Sequence, residues 1–350
     1  MWLFDQDLIP RVGPQLGMLF VTLVWGCLVA GASLLDGTLR LPAPGRGLME
    51  HYGFQASFVS APLMLLTCLH AVSNFLRILA KIDDMLVPGA DPAAVRSIVK
   101  PHVDSLLLRG NWRNALWLFM FIGVAVSIAI FRKLDAPGEF WGNDVFNATR
   151  YTYGFLAANL FLLLLWGFVC PVGFFYALHL TFSSETIVAR LRKAGMLRLD
   201  FLHVDRCGGM SRFGTLNFLV MLIYVWPFGA MYVLHLTHQY TYLSLIGGAI
   251  ATSAAFVFQS IYGIYWVSPA ITSERASVVG FLNARVAEAM DGTRDFAAAL
   301  ATLEYRERVL AVSSFPYSTT ISAAVNIMRF APAAIALANF VGAVWLRTIS

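Results

Sequence analysis

GFLAANLFLLLLWGFVCPVGFFYALHL, residues 154–180, contains no Asp, Glu, Lys or Arg. As a helix rising 1.5 Å per residue it would be about 40 Å long, more than the roughly 30 Å of a bilayer's hydrocarbon core. A soluble domain has nowhere to bury such a run on all sides. Its reading is therefore a membrane-crossing helix.

The rest of the chain agrees. Apolar residues make up 58% of the sequence and charged residues 13%, about half the roughly 25% of a soluble domain. Mean hydropathy is +0.68. The expected fold is an all-α, polytopic transmembrane bundle of about seven spans with additional cytoplasmic helices. The spans are Gln15–Leu35, Phe54–Leu79, Asn114–Phe131, Tyr153–Leu180, Gly214–Leu236, Leu243–Val267 and a last one ending at Trp345, within which Arg329 falls. The chain divides accordingly: residues 1–80 hold the first two spans, 81–113 an amphipathic segment, and 114–180 spans three and four. Residues 181–213 form a loop, 214–268 carry spans five and six, 269–313 form a helical hairpin, and 314–350 hold the last span. Ala30-Gly31-Ala32 resembles a leader cleavage site, but the preceding segment has Asp5 and Asp7 with Arg11 as its one base, so a retained anchor is expected.

Lys and Arg stay on the cytoplasmic side of short loops. The connections after the second, fourth and sixth spans carry seventeen of them, against five (Arg40, Arg46, Arg132, Lys133 and Arg150) on the other side. The N-terminus is thus expected inside, and a multi-pass bacterial inner membrane protein is the expected setting. Trp141, Tyr151, Tyr153, Tyr240 and Tyr242 would form the outer aromatic belt, with Trp112, Tyr265 and Trp266 at the inner interface. The basic residues are dispersed over several loops, which argues against a nucleic-acid partner. Cys27, Cys68 and Cys170 fall in apolar runs and read as buried thiols.

Two helical segments are expected in the cytoplasmic layer. Val95, Ile98, Val99, His102, Val103 and Leu106 recur at helical spacing opposite Arg96, Lys100 and Asp104, with a break expected near Pro101. From Ser273 to Met290, the residues Val278, Phe281, Leu282, Val286 and Met290 form one stripe; Gly292 should end that helix. Thr293 should cap a second helix to about Val312, bearing Phe296, Leu300 and Leu303. The stripes must be buried within the hairpin itself, on the bundle or on another subunit.

No Asp or Glu falls within the seven spans as drawn, which argues against cation-coupled transport. The polar residues there include Asn74, Asn159, Asn217, Gln259 and Arg329. Pro171 and Pro227 lie mid-span in consecutive helices, where each frees a backbone carbonyl; paired breaks at one depth suggest a substrate site or gate. Pro171, Pro227, Asn217, Gln259 and Arg329 are the pore or gate candidates. Gly247, Ala251 and Ala255 form a small-residue seam in the sixth span. His70 and His179 could hold a haem only with support that nothing else supplies, so no cofactor is expected.

The most polar stretch is LRLDFLHVDRCGGMSRFG, residues 197–214. His203, Asp205 and Cys207 alternate and could join Asp200 in a zinc site, yet no second Cys or His pair accompanies them and no metal site is assigned. Cys207 and His203 lack an orienting group for nucleophilic catalysis, so the enzyme reading ranks last. Arg206, Arg212 and the amides of Gly208 and Gly209 could hold an anion at the start of the fifth span. A polar elbow is the plainer alternative. The stretch resembles a loop, roughly H-P-D-R-x-G-G-L, of a group of uncharacterised bacterial polytopic membrane proteins. It departs at Val204, where that pattern has proline, and at Met210, where it has leucine. The resemblance implies that His203, Asp205, Arg206, Gly208 and Gly209 work as one unit.

The expected function is an oligomeric channel or pore, anions being the expected permeant species, gated from the cytoplasmic side. The alternative is a signalling or effector subunit that binds a cytoplasmic partner through its hairpin.

Overall fold

The computed structural model describes residues 13–40, 48–50, 52–133, 153–201, 208–236, 267–293 and 295–312. Regular structure among them is helical: α1 (Gly13–Leu35), α2 (Tyr52–Ala80), α3 (Pro92–Leu106), α4 (Trp112–Lys133), α5 (Tyr153–Leu164), α6 (Cys170–Lys193), α7 (Ser211–Leu236), α8 (267–288) and α9 (Phe296–Leu310). Phe54–Ala80, Gly167–Lys193 and Ser211–Ala230 are each long and apolar enough to cross a membrane; Leu19–Leu35 and Trp112–Ala125 are shorter apolar helices. The first five expected spans coincide with α1, α2, α4, α5–α6 and α7. The sixth and seventh, with Gln259, Arg329 and the Gly247–Ala255 seam, lie outside the described residues.

α2 is the central post. It packs most extensively on α7 and also meets α1 and α6. Side chains as large as Phe75, Met64, Leu65, Tyr176 and Leu180 are fully buried there. Close approach depends on glycine. A Cβ on Gly173 of α6 would overlap the Met64 methyl and lie 3.4 Å from Ile223, and one on Gly26 of α1 would overlap the Phe58 ring. Polar groups in this interior find partners between helices. Trp226 Nε1 donates to Thr67 Oγ1 at 2.9 Å, and Thr67 donates on to the Leu63 carbonyl at 2.7 Å. Trp25 Nε1 donates to the Ala157 carbonyl at 3.1 Å, tying α1 to α5, while Phe54 and Phe161 rings meet at 5.1 Å. The outward faces are as apolar as the core. Phe20 on α1 and Phe121 on α4 are 67% and 71% exposed, a surface costly in water and at home in hydrocarbon.

Pro171 does not break its helix. Between α5 and α6 the chain makes one π turn, Leu165–Val169, and the Cys170 N–H donates to the Leu165 carbonyl five residues back. Proline has no N–H for the carbonyl four residues earlier, so widening the preceding turn lets the rod continue. Gly123 of α4 lies against this place: a Cβ there would overlap the Pro171 ring and come within 2.9 Å of the Gly167 carbonyl oxygen. Pro227 is likewise carried inside an unbroken α7.

The rod α5–α6 therefore runs from Tyr153 to Lys193, roughly 60 Å. The helix thus continues beyond Leu180, the expected end of the fourth span, and carries Glu185 in its extension. The helix continues past Leu180 because Thr181, Ser183 and Glu185 are buried against neighbouring elements and keep a packed face.

Overpacking at a site already in contact costs about 1–3 kcal/mol. Gly173→Leu is expected to lower the unfolding temperature in detergent by several degrees, whereas Gly229→Ala, whose Cβ would meet nothing within 4 Å, should leave it equal or slightly higher.

Candidate functional site

The polar features gather at one end of the bundle, where α2 and α6 finish and α7 begins. α3 starts from a built cap: the Asp91 carboxylate accepts from the Ala93 and Ala94 amides at 2.9 and 3.3 Å, with Pro92 at the first helical position. Val95, Val99, Val103 and Leu106 are buried, and α3 packs along α6. The break expected near Pro101 does not occur. Pro101 faces outward, so the Ser97 carbonyl that it deprives of a donor is also on the exposed side.

His102 joins α3 to α6. Its Nδ1 lies 3.2 Å from Ser183 Oγ, and its Nε2 is buried with no hydrogen-bond partner among the described residues. One turn earlier on α6, the His179 ring meets Trp112 of α4 edge-on at 4.5 Å and Phe175 at 4.3 Å. Burial holds His102 below the ordinary histidine value, and the neighbouring charges of Arg190 and His179 push the same way. His70 is exposed on α2, in surroundings unlike those of His179.

Glu185 was missed by the sequence reading because it fell beyond the assigned span. It is 4% exposed, and its Oε2 has no hydrogen-bond partner among the described residues. Glu185 follows Phe174 by three helical turns and so shares its face. Phe174 stacks on Tyr224 of α7 at 5.5 Å. The chain reverses between α6 and α7, so counting the same distance back from Tyr224 brings Glu185 level with Phe213, in the first turn of α7. By register, a carboxylate of the chain itself stands where α7 begins.

The elbow is pinned to the linker after α2. The Val87 amide donates to the Met196 carbonyl at 2.9 Å and the Arg198 amide to the Met85 carbonyl at 2.8 Å, around the bridge pairing Leu86 with Leu197. Gly208 and Gly209 have φ of 68° and 87°, conformations that favour glycine. A Cβ on Gly208 would lie 3.3 Å from Leu199 Cβ. Arg212, a candidate anion ligand, has its guanidinium 3.9 Å from an Asp84 carboxylate oxygen. His203, Asp205, Arg206 and Cys207 lie outside the described residues. Among the described residues, no three His, Cys, Asp or Glu side chains come together as a metal set.

The pore candidates fall deeper. Leu165 and Cys170, at the two ends of the π turn, line one crevice with Pro227, Ser60, Met64 and Ala230. The crevice, where Pro227 lies near the π turn, is too tight for a water molecule. Asn217 is half-buried in the second turn of α7.

α8 leaves the bundle beside the end of α6, where Arg192 Nη2 donates to Ser273 Oγ at 2.9 Å. It ends in a π turn, Ala289–Thr293, and α9 is capped by Asp295, whose carboxylate accepts from the Ala298 amide at 3.0 Å. Asp295 takes the role expected of Thr293 because the π turn carries the chain two residues further before α9 starts. The helices run back to back, and Arg275 Nη1 donates to the Val312 carbonyl at 2.9 Å. Leu282, Ala299, Val309 and Val312 are buried, whereas Phe281, Met290, Phe296 and Leu300 are 60, 46, 67 and 61% exposed. Among the described residues, the bundle leaves the hairpin's outer faces uncovered.

No family model matches the sequence, and no curated protein or solved structure is significantly similar to it.

The His102 contact sets a pH dependence. Docked His102 favours the neutral form, while a released imidazole takes up a proton near its ordinary value of about 6.5. Docking is therefore full above that pH and weakens as the pH falls below it. Amide exchange across 95–106, corrected for intrinsic rates, should be faster at pH 5 than at pH 8. His102→Phe should remove most of that difference; a persisting difference would assign the effect elsewhere.

Proposed function

We propose that this chain is a multi-pass bacterial inner membrane protein of about seven spans, N-terminus inside, that assembles into an oligomeric pore controlled from the cytoplasm. The observation that carries the reading is the hairpin, whose outer apolar residues Phe281, Phe296 and Leu300 are exposed. Apolar faces of this kind on a polar-side element are protein-contact surfaces.

Three further observations support a pore. The long rod reaches out of a 30 Å hydrocarbon core at its Arg190, Arg192 and Lys193 end and carries α3 there, so the cytoplasmic layer and the mid-membrane π turn share one rigid element. The crevice shared by Leu165, Cys170 and Pro227 is too narrow for a water molecule, as a shut gate would be. The basic mouth favours anions over cations. Glu185, about 8 Å past Leu180 along the rod, belongs to that mouth rather than to mid-bilayer.

The second reading, a membrane effector subunit, rests on the same uncovered hairpin and has another cytoplasmic protein cover it. The purified chain alone decides between them. In liposomes loaded with chloride, the pore reading expects a chloride efflux that salt or pH modulates, and Gly123→Leu, which presses on the π turn, should change its rate severalfold. No flux at any pH or salt, from a chain that remains monomeric, would sink the pore and favour the effector.

A further inference from the structure

The hairpin has two outer faces, and they differ in kind. On α9, Phe296, Leu300, Leu303, Glu307 and Leu310 follow one another at alternating four- and three-residue steps, the spacing of a helix seam. The four apolar members are 67, 61, 38 and 45% exposed. This ridge lies away from Val309, which packs inward. On α8, Ser277, Gly280, Ala284 and Ala287 follow at three-, four- and three-residue steps, all exposed, and lie opposite the buried Leu282. A Cβ on Gly280 would meet nothing within 4 Å. One side of the hairpin is thus a bulky ridge, and the other a shallow groove.

We propose that the hairpin joins copies of this chain head to tail, the α9 ridge of one copy seated in the α8 groove of the next, so that the hairpins close into a ring. The proposal rests on the oligomeric reading above and names its contact. Ridge and groove share a period, and they also share a level. The Arg275–Val312 bond and the Asp295 amide, which donates to the Ala289 carbonyl at 3.2 Å, fix which residues of α8 and α9 lie side by side. In the proposed ring the hairpins stand along the membrane normal, and rotation about that normal keeps every residue at its depth. Counting from Arg275 and Val312 at equal rise then sets Leu300 against Ala287 of the next copy, Leu303 against Ala284, and Leu310 against Ser277. Glu307, the polar member of the ridge, falls opposite Gly280, where no side chain obstructs its stem.

A foreign partner would account for one face only. A second copy uses both, and because the faces point in opposite directions the contact is heterologous, the kind that generates rings. An aromatic side chain buries roughly 150–250 Å² when covered. Leu300, Leu303 and Leu310 add their exposed surface to it in each seam. Each copy in a ring makes two seams.

The test uses the full chain in native membranes with its four cysteines replaced by alanine. Leu303→Cys and Ala284→Cys in one chain should give, on mild oxidation, a ladder of cross-linked species that ends at the ring number. Either substitution alone should give no dimer. The pair Leu300→Cys and Ala287→Cys repeats the test at a second level and guards against one badly folded variant. A double variant that stays monomeric at both levels overturns the proposal. So do single variants that cross-link to themselves, since that marks a two-fold contact. The two readings fail separately: a ladder without chloride flux keeps the contact and removes the pore, whereas flux without a ladder removes the contact and keeps the pore.

Discussion

A helix of roughly 60 Å cannot be contained in a hydrocarbon core of about 30 Å. The rod from Tyr153 to Lys193 must therefore leave the apolar layer, and the rest of the molecule is arranged around where it does so. Within the bundle it lies against α2 and α7 through Gly173, Met64 and Ile223, where a missing side chain allows close approach and dispersion does the holding. Beyond the bundle the same rod presents Ser183 to α3, while its last turns lie beside the start of α8. One backbone ladder thus connects apolar packing to the polar layer.

The elbow is fixed by ordinary chain chemistry. Two backbone hydrogen bonds tie it to the linker after α2, and two glycines with positive φ turn the chain into α7. Arg212 lies near Asp84 at an exposed separation of 3.9 Å, a contact of small energetic worth. Buried Glu185 differs in kind. Its carboxyl is withdrawn from water, and Oε2 has no hydrogen-bond partner among the described residues.

The apolar helices were legible in the sequence because hydrocarbon thickness imposes a length on every crossing, and α1, α2, α4 and α7 begin and end within a few residues of the runs that announced them. α3 was legible for a related reason: its 3.6-residue stripe needs a surface to lie on, and α6 supplies one. Three features were not legible. The π turn leaves no compositional trace, since Leu165–Val169 is as apolar as its neighbours. The persistence of α3 through Pro101 depends on which side faces out, a tertiary fact. Glu185 resembled a loop residue because the helix was ended where its apolarity weakened, although packing carried it on. The elbow residues attracted notice through their polarity, yet polarity alone does not separate a ligand site from a bend, and Asp84, which lies near Arg212, stands more than a hundred residues away in the chain.

The π turn also has an angular consequence. It carries one residue more than an α turn would, so every side chain after it is displaced by about 100° around the helix axis relative to an uninterrupted rod. His179, Ser183 and Arg190 share a stripe of α6 by their spacing of four and seven, and that stripe faces α3 only in the shifted phase. The azimuth of the polar layer is thus set some 20 Å away, by a single hydrogen bond that reaches five residues back instead of four. Changing that one bond would turn everything beyond it, Gly173 and Phe174 included, so the same hydrogen bond also sets which face of α6 meets α2 and α7.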